Sequence, residues 1–441
     1  LWHEQTGPAA TLLNPNQGIA TLDLEALLGN PKLSNQRLLD SAFRQVEKTY
    51  YKPVNAQVLV NGEQRELVSL LRSHKISTSL PVSYASGDES RDLALLNRNL
   101  QLAQNASSGK VPASTVTKAA IKGMLSSLGD PYTTYLSAGE IASLEEALKG
   151  GDFGGIGVYI VKDPRTHWIL VDPIEGTPAF RSGVKTGDRI VAVDGHSVAG
   201  LSLDDVEHLI RGRVGTVVQL SVNRHEGSRT ISVTREQIWV PSVHAKMEDG
   251  FDYVRLGDFG QTSYEEVRRA LLDGKAHGAK GYILDLRNNG GGLLDAAVQI
   301  SSLFIEDGPI VSTIDRAGNR ETKDATRDAI GATPLVVLVN KYTASASEIT
   351  AGAIQDYRVG PLIGTKTFGK GVVQSIYNLN DGGALKITTA RYVTPHGRDI
   401  QHRGIEPDQY VNQVVEAPII DTPKDLQLAA AKAYLRRVAR R

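Results

Sequence analysis

The chain contains no cysteine, an absence that closes off disulfide frameworks, thiolate zinc clusters, iron–sulfur centres and a cysteine nucleophile. Any nucleophile it carries must be an oxygen or a nitrogen. It also lacks an excess of either charge: 49 basic and 49 acidic residues give a formal net charge of zero, so no whole-protein electrostatic footprint for nucleic acid is present. A local basic cluster stands near the C-terminal end, with Lys432, Arg436, Arg437, Arg440 and Arg441. It reads first as a solvated helix end and second as a membrane or nucleic-acid contact. No apolar run approaches the roughly 18 residues that span a bilayer, and the longest candidates, such as residues 335–339, have the length of a buried strand. The chain is therefore expected to be soluble as it stands. A first residue of Leu1 rather than methionine reads as a processed or trimmed N-terminus, with a signal peptide or anchor removed.

At 441 residues the chain has room for about two to four domains with cores of their own. Apolar residues at helical spacing predict helices over residues 38–51 and 114–128, the second opened by Ser114 and Thr115 as its N-cap. Between them, residues 77–112 are rich in Ser, Asn, Gln and Gly and read as an insertion or mobile connection with one short helix around 93–102. A glycine-dense loop, Lys149-Gly150-Gly151-Asp152-Phe153-Gly154-Gly155-Ile156-Gly157-Val158, runs into a strand. Short strands then fit residues 168–171, 189–193, 217–224 and 228–235, with a helix at 204–211, which makes a small β-rich domain. From Tyr253 onward, apolar strands at 253–256, 281–286 and 334–339 alternate with helices at 263–277, 293–304 and 346–357. This is the pattern of a parallel or mixed sheet covered on both faces. The expected fold class is thus α/β and β-rich multidomain, in four parts: a helical N-terminal region 1–148, a β-rich domain 149–238, an α/β core with a mixed sheet 239–418, and a basic tail or helix 419–441. Ligands of such sheets gather at the C-terminal strand ends, where residues 287–292 and 340–345 carry unusual chemistry.

The segment Val339-Asn340-Lys341-Tyr342-Thr343-Ala344-Ser345-Ala346-Ser347-Glu348 leads from a buried strand through a small-residue turn into a helix. A serine hydroxyl at a helix N-terminus meets free N–H groups and the positive end of the helix dipole, which suits a nucleophile beside an oxyanion hole. The same residues also fit a plain cap, with Ser345 or Ser347 as the capping serine and Glu348 complementing the first turn. Further on, Gly364-Thr365-Lys366-Thr367-Phe368-Gly369-Lys370-Gly371 satisfies the opening of a phosphate-binding loop, but Gly371 stands where the magnesium-holding hydroxyl belongs. A lysine between glycines lies close to backbone. If desolvated it gives up its proton more readily and can serve a serine as general base; otherwise it is an exposed lysine in a glycine turn. There is no HExxH helix and no G-x-S-x-G elbow. The nearest miss, Gly195-His196-Ser197-Val198-Ala199, reads as a turn, and the ten histidines are scattered.

With these motifs in order, the chain resembles the C-terminal processing peptidases, serine proteases with a Ser-Lys dyad and an embedded PDZ domain. The likeness rests on Thr343-Ala344-Ser345-Ala346-Ser347-Glu348-Ile349, on Thr367-Phe368-Gly369-Lys370-Gly371 with Gln374, and on Leu284-Asp285-Leu286-Arg287-Asn288-Asn289-Gly290-Gly291-Gly292. It extends to Tyr392-Val393-Thr394-Pro395-His396-Gly397, Gly404-Ile405-Glu406-Pro407-Asp408 and Asp130-Pro131-Tyr132-Thr133-Thr134-Tyr135-Leu136. The resemblance implies Ser345 as nucleophile, Lys370 as its general base and Gln374 as the amide that orients the lysine. It implies an oxyanion hole made by the backbone N–H of Ala346 and that of Gly291 or Gly292. It also implies that Gly155, Ile156, Gly157 and Val158 capture a peptide terminus, for which clustered amides beside a strand are suited. Arg211 is either a link from the PDZ domain to the active site or a solvated helix-end cation. No metal or organic cofactor is implied. Some relatives carry a proline where Gly290 stands, and the asparagines and triple glycine lean toward the branch that includes the photosynthetic enzyme maturing a photosystem II reaction-centre precursor.

The function expected from this resemblance is a serine endopeptidase that takes protein substrates by accessible, apolar C-termini and cleaves their tails through an acyl-enzyme. The expected location is extracytoplasmic: a bacterial cell envelope or periplasm, or a thylakoid lumen for the photosynthetic branch. No nucleic-acid partner is expected. Relatives allow for a homodimer through the N-terminal helices and for membrane association through a segment outside this chain. Two rivals stand beside this reading, a PDZ-based adaptor with a silent protease core and a P-loop nucleotide hydrolase.

Overall fold

The computed structural model describes residues 31–148, 153–163, 166–174, 176–224, 227–238, 241–413 and 420–439. Residues 149–152, which open the glycine-dense loop, the first residues of the chain, and Arg440 and Arg441 of the basic cluster lie outside the described residues. Two compact units are present: Glu145–Ser242 forms one, and the chain up to Leu144 together with that from Val243 onward forms the other.

In the larger unit the first four helices are Pro31–Thr49, Ala56–Ser73, Glu89–Ser107 and Ala113–Ser126. Residues 77–112 are not a loose insertion: Glu89–Ser107 is a 19-residue helix capped by Asp88, whose side chain accepts from the Arg91 N–H. Leu93, Leu96, Leu100 and Ala103 recur along one face of that helix and are buried in the cluster that holds Phe43, Leu59, Leu67 and Met124. The polar composition misleads because part of it is internal. Asn99 is fully buried and donates from Nδ2 to Glu63 Oε2 (3.0 Å), and Asp92 accepts the N–H of Ser86 and Gly87. The helix Ala113–Ser126 is also capped differently from the expectation. Pro112 is the N-cap residue and contributes no side-chain bond, and its carbonyl accepts from Thr115 and Val116. Ser114 and Thr115 therefore lie inside the first turn.

The same cluster takes in Leu385 and Ile387 of the strand Ala384–Val393. This strand is the hub of a five-stranded sheet, pairing with Thr134–Leu136, Pro309–Asp315 and Val372–Asn378. The second sheet has the order Val243–Glu248, Phe251–Leu256, Tyr282–Asp285, Leu335–Val339, Leu362–Gly364, Gln409–Tyr410, antiparallel at the first pair and parallel thereafter. Alternation explains why Leu335–Val339 is apolar throughout. Leu335, Val337 and Val339 face the cluster containing the helices Leu294–Ser302 and Ala346–Asp356, while Val336 and Leu338 face Leu428, Ala431 and Leu435 of the helix Leu426–Val438. In that last helix Lys432 pairs with Glu248, and Arg436 Nη2 lies 2.9 Å from Asp249 Oδ2. Lys432 and Arg436 of the basic cluster thus fasten the helix to the edge hairpin. No described helix is long and apolar enough to cross a membrane.

The smaller unit is a sheet of Val158–Lys162, Ile169–Pro173, Asp188–Val193, Val217–Arg224 and Gly227–Thr234 in that order, with His196–Ser197 folded back on Asp188–Val193. The helix Leu203–Ile210 starts at a reciprocal cap. Ser202 Oγ accepts from the Asp205 N–H, and Asp205 Oδ2 accepts from the Ser202 N–H, both at 3.1 Å. Val206 and Ile210 then pack with Ile156, Val171, Val218 and Leu220.

Candidate active site

Two strand ends of the parallel sheet meet in a pair of interlocked loops. After Tyr282–Asp285 comes Arg287-Asn288-Asn289-Gly290-Gly291-Gly292, and after Leu335–Val339 comes the turn into Ala346–Asp356. Asparagines join them. Asn340 Nδ2 donates to Asn288 Oδ1 (2.8 Å) and Asn340 Oδ1 accepts from the Asn288 N–H (3.1 Å). The carbonyl of Asn289 accepts from the Ala344 N–H and from Ser347 Oγ, both at 3.0 Å. Thr343 Oγ1 donates to Leu286 O (2.8 Å). Ser347 is therefore a buried structural hydroxyl, and Ser345 is the serine left at the turn, half-buried.

Ser345 has φ 57° and ψ −119°, a region that side chains with a Cβ rarely adopt and that costs on the order of 1–3 kcal/mol unless its surroundings enforce it. The strained elbow is present although the G-x-S-x-G signature is not. Gly291, at φ 100°, packs directly on it. A Cβ there would come within 2.8 Å of the Ala346 nitrogen and of Ser345 Cβ, so only glycine fits.

Glu348, three residues into the helix, holds the elbow. Its carboxyl is fully buried, and all four of its contacts are donors. Oε2 accepts from the N–H of Ser345 (2.9 Å) and of Lys370 (2.9 Å). Oε1 accepts from Thr367 Oγ1 (2.6 Å) and from the N–H of Gly369 (2.7 Å). Burial holds the carboxyl above its usual range, and these donors offset part of that rise. A group surrounded only by donors is suited as carboxylate. One oxygen thus carries the backbone of both the serine and the lysine. Tyr392, also buried, adds a second bridge, its hydroxyl 2.6 Å from Lys370 O and 3.1 Å from Ser345 O.

Lys370 sits on the loop that precedes the strand Val372–Asn378. Gly369, at φ 90°, lets this loop pass within contact of Arg403 and Gly404. Burial is the main cause that pulls the lysine ammonium below its ordinary range; Lys386 adds to it, while Asp130 and Glu348 oppose it. Lys370 Nζ lies 4.7 Å from the centroid of the Tyr132 ring. Tyr132 gets there because Thr134–Leu136 pairs with Ala384–Val393, the strand that also carries Lys386 and Tyr392. Tyr132 and Tyr392 both stand in segments that carry the family likeness, and no local spacing ties either of them to the site. Glu348 is legible as a first-turn acid, but not as the clamp between two loops.

The other expected residues fall out as follows. Gln374 does not bond to Lys370 among the described hydrogen bonds. Its Nε2 lies 3.5 Å from Val372 O and 3.5 Å from Thr388 Oγ1, because the strand register sets Gln374 opposite Thr388. The Gly291 N–H donates to Asn289 Oδ1 (2.8 Å), whereas no described bond engages the N–H of Gly292 or Ala346. In the smaller unit Gly155 ends the strand Phe153–Gly155, Ile156 is buried with its carbonyl accepting from Ala179, and Val158 opens the next strand. Thr177 Oγ1 and the Ile174 N–H both donate to Gly157 O. No described bond engages the N–H of Ile156 or Gly157. Arg211 closes the helix Leu203–Ile210 and pairs with Glu207 one turn back. The loop at residues 364–371 is no phosphate cradle, since the N–H groups of Gly369 and Lys370 are already taken by a carboxylate and a strand follows instead of a helix.

Residues 251–411 match peptidase family S41, and residues 169–224 match the PDZ domain family. The carboxyl-terminal-processing protease of Synechocystis sp. is 40% identical over 324 residues, covering 71% of this chain and 76% of that protein. The carboxy-terminal processing protease of Bacillus subtilis is 37% identical over 355 residues, 80% of this chain and 74% of that protein. Among solved structures, a photosystem II D1 C-terminal processing protease superposes with a TM-score of 0.51 at 29% identity, over 90% of this chain and 99% of its own.

Proposed function

We propose, for a chain that belongs to peptidase family S41 and is a serine-type C-terminal processing peptidase, that Ser345 and Lys370 are its catalytic dyad and that its PDZ domain receives the substrate's C-terminus. The observation that carries the first part is the shared oxygen, Glu348 Oε2, on which the backbones of Ser345 and Lys370 are both hung. Ser345 Oγ attacks the scissile carbonyl while Lys370 Nζ, neutral beforehand, takes its proton. The tetrahedral oxyanion is met by the Ala346 N–H and by a glycine N–H of residues 290–292. Gly292 offers one without a described partner, and Gly291 offers one if Asn289 Oδ1 lets go. One well-placed donor of this kind is worth about 3 kcal/mol. Lys370 returns the proton to the leaving amine, and water then cleaves the acyl-enzyme by the same proton route.

Support for the second part is the pair of amides at Ile156 and Gly157, without a partner among the described bonds, beside the strand Val158–Lys162, an arrangement that can hold a carboxylate while the strand pairs with an extended peptide. A protein with an apolar C-terminus should be cut at least about tenfold more efficiently when its terminal carboxylate is free than when it is amidated. Equal kcat/KM for the two would overturn PDZ capture, and a silent-core adaptor would cut neither. We place the reaction outside the cytoplasm, a location with which a chain free of cysteine is compatible.

The base sets the pH dependence. Lys370 acts only when neutral, and its ammonium lies below the ordinary lysine range. Activity is therefore present above that lowered pKa and lost as pH falls through it. A kcat/KM profile that stays flat down to about pH 5, the low end reached by buried lysines, would contradict the assignment.

A further inference from the structure

We propose that Asp425, beyond the end of the region matching the peptidase family, is a positioning residue for the oxyanion loop and acts through Arg287. Arg287 is the largest fully buried side chain among the described residues and the first residue of that loop. Its own strand supplies one partner: Arg287 Nη2 donates to Asp285 Oδ2 (2.6 Å) and Nε to Asp285 Oδ1 (2.9 Å). The start of the final helix supplies the rest. Nη1 and Nη2 donate to Asp425 Oδ1 and Oδ2, both at 2.8 Å, and Nη1 also reaches Gln427 Oε1 (3.1 Å). The fork is bidentate to both carboxylates, the arrangement that fixes a guanidinium in plane as well as in place.

The position so fixed is passed along the chain. The next residue, Asn288, has φ 60° and is locked to Asn340. Asn289 is fully buried, donates from Nδ2 to Leu256 O (2.9 Å) and receives Ala344 and Ser347. The glycines 290–292 follow. With Asp425 neutral, Arg287 is held ionically from one side only, and a buried guanidinium short of a partner relaxes toward whatever polar group or water it can reach. The inference rests on the reading of residues 290–292 as the oxyanion loop.

Asp425 also caps its helix, accepting from the Leu428 N–H (3.0 Å) and the Asp421 N–H (2.9 Å). Asparagine can keep the Leu428 bond of such a cap, but its NH₂ then faces Arg287 Nη2 and the Asp421 N–H, so Asp425→Asn removes the charge and one acceptor with little change of size. The helix has other anchors in Leu428, Ala431 and Leu435 and in the Arg436 pair with Asp249. Leu435→Ala is thus a control that loosens the same helix by packing alone.

In the full chain, Asp425→Asn is expected to lower kcat roughly ten- to a hundredfold with KM little changed, the scale of a displacement of about 1 Å in a catalytic group. Amide hydrogen exchange across residues 286–292 should accelerate in parallel. Leu435→Ala, compared at an equal loss of Tm, should leave kcat near that of the wild type. Should Asp425→Asn fail to fold, Gln427→Leu removes the neutral partner of Arg287, together with the Gln427 Nε2 bond to Val411 O, and should move both readouts the same way by less. Unchanged kcat and exchange in these variants, or an equal fall of kcat in Leu435→Ala, would overturn the proposal. Exchange needs no turnover, so this result is separable from failure of the Ser345 assignment, which shows as Ser345→Ala retaining activity.

Discussion

Lys370→Ala is expected to lower kcat by on the order of 10⁴-fold or more, because removing the base from a nucleophile–base unit costs nearly as much as removing the nucleophile. Lys370→Arg should be equally inactive, since a guanidinium keeps its charge at any working pH and cannot accept the serine proton. The fold should survive both changes. Lys370 is tied to the rest of the site by its backbone, through its N–H to Glu348 and its carbonyl to Tyr392, and those bonds need no side chain. An apolar replacement such as Lys370→Met should even raise stability. The folded-state pKa of Lys370 is lowered by burial, so the folded protein is penalised wherever the unfolded chain holds the proton more tightly. That penalty is complete below the folded pKa and disappears as pH rises through the unfolded value of about 10.4. The gain of Lys370→Met in Tm should accordingly be largest in acid and vanish in strong alkali. An inactive variant that is also markedly less stable in acid than the wild type would mean that the lysine is structural.

The second large effect is expected at Glu348. Glu348→Gln keeps the size but replaces one acceptor oxygen by an NH₂ group, which then faces two donors. Depending on the flip, either Ser345 and Lys370 or Thr367 and Gly369 lose their acceptor. Two buried donors left unpaired at about 1–3 kcal/mol each predict a loss of roughly 2–6 kcal/mol in folding free energy. Activity should fall further than stability explains. The φ of Ser345 is held against its intrinsic preference, and releasing its N–H lets the elbow relax; a fall in kcat of about a hundredfold or more is expected at a temperature where the variant is still folded. Urea unfolding and steady-state kinetics on the same preparation check both halves. A variant with wild-type kcat would show that the shared carboxylate does not set the site.

These two residues also show how much of the site could be read along the chain. The buried strand Leu335–Val339 and the helix after it are legible from apolar run length alone, and Ser345 and Lys370 from the short motifs around them. Glu348 is visible as an acid in the first turn of a helix, an unremarkable electrostatic complement. Its contacts with Thr367, Gly369 and Lys370 come from a loop some twenty positions on, and no periodicity reports them. Tyr132 is farther still, carried to Lys370 by the register of Thr134–Leu136 on Ala384–Val393. In Glu89–Ser107 the polar composition points to a short helix in a mobile connection, whereas Asn99 and Asp92 are buried and hydrogen-bonded. The register with Thr388 likewise decides where the amide of Gln374 points.

The central claim is that Ser345 is a nucleophile activated by Lys370. A fluorophosphonate, which reacts far faster with an activated serine hydroxyl than with an ordinary one, can be incubated with the wild-type chain and its site mapped by peptide mass spectrometry. Modification is predicted at Ser345 alone, with a rate that falls as pH drops and that collapses in Lys370→Ala. Labelling of another serine, or undiminished labelling of Ser345 in Lys370→Ala, would contradict the account.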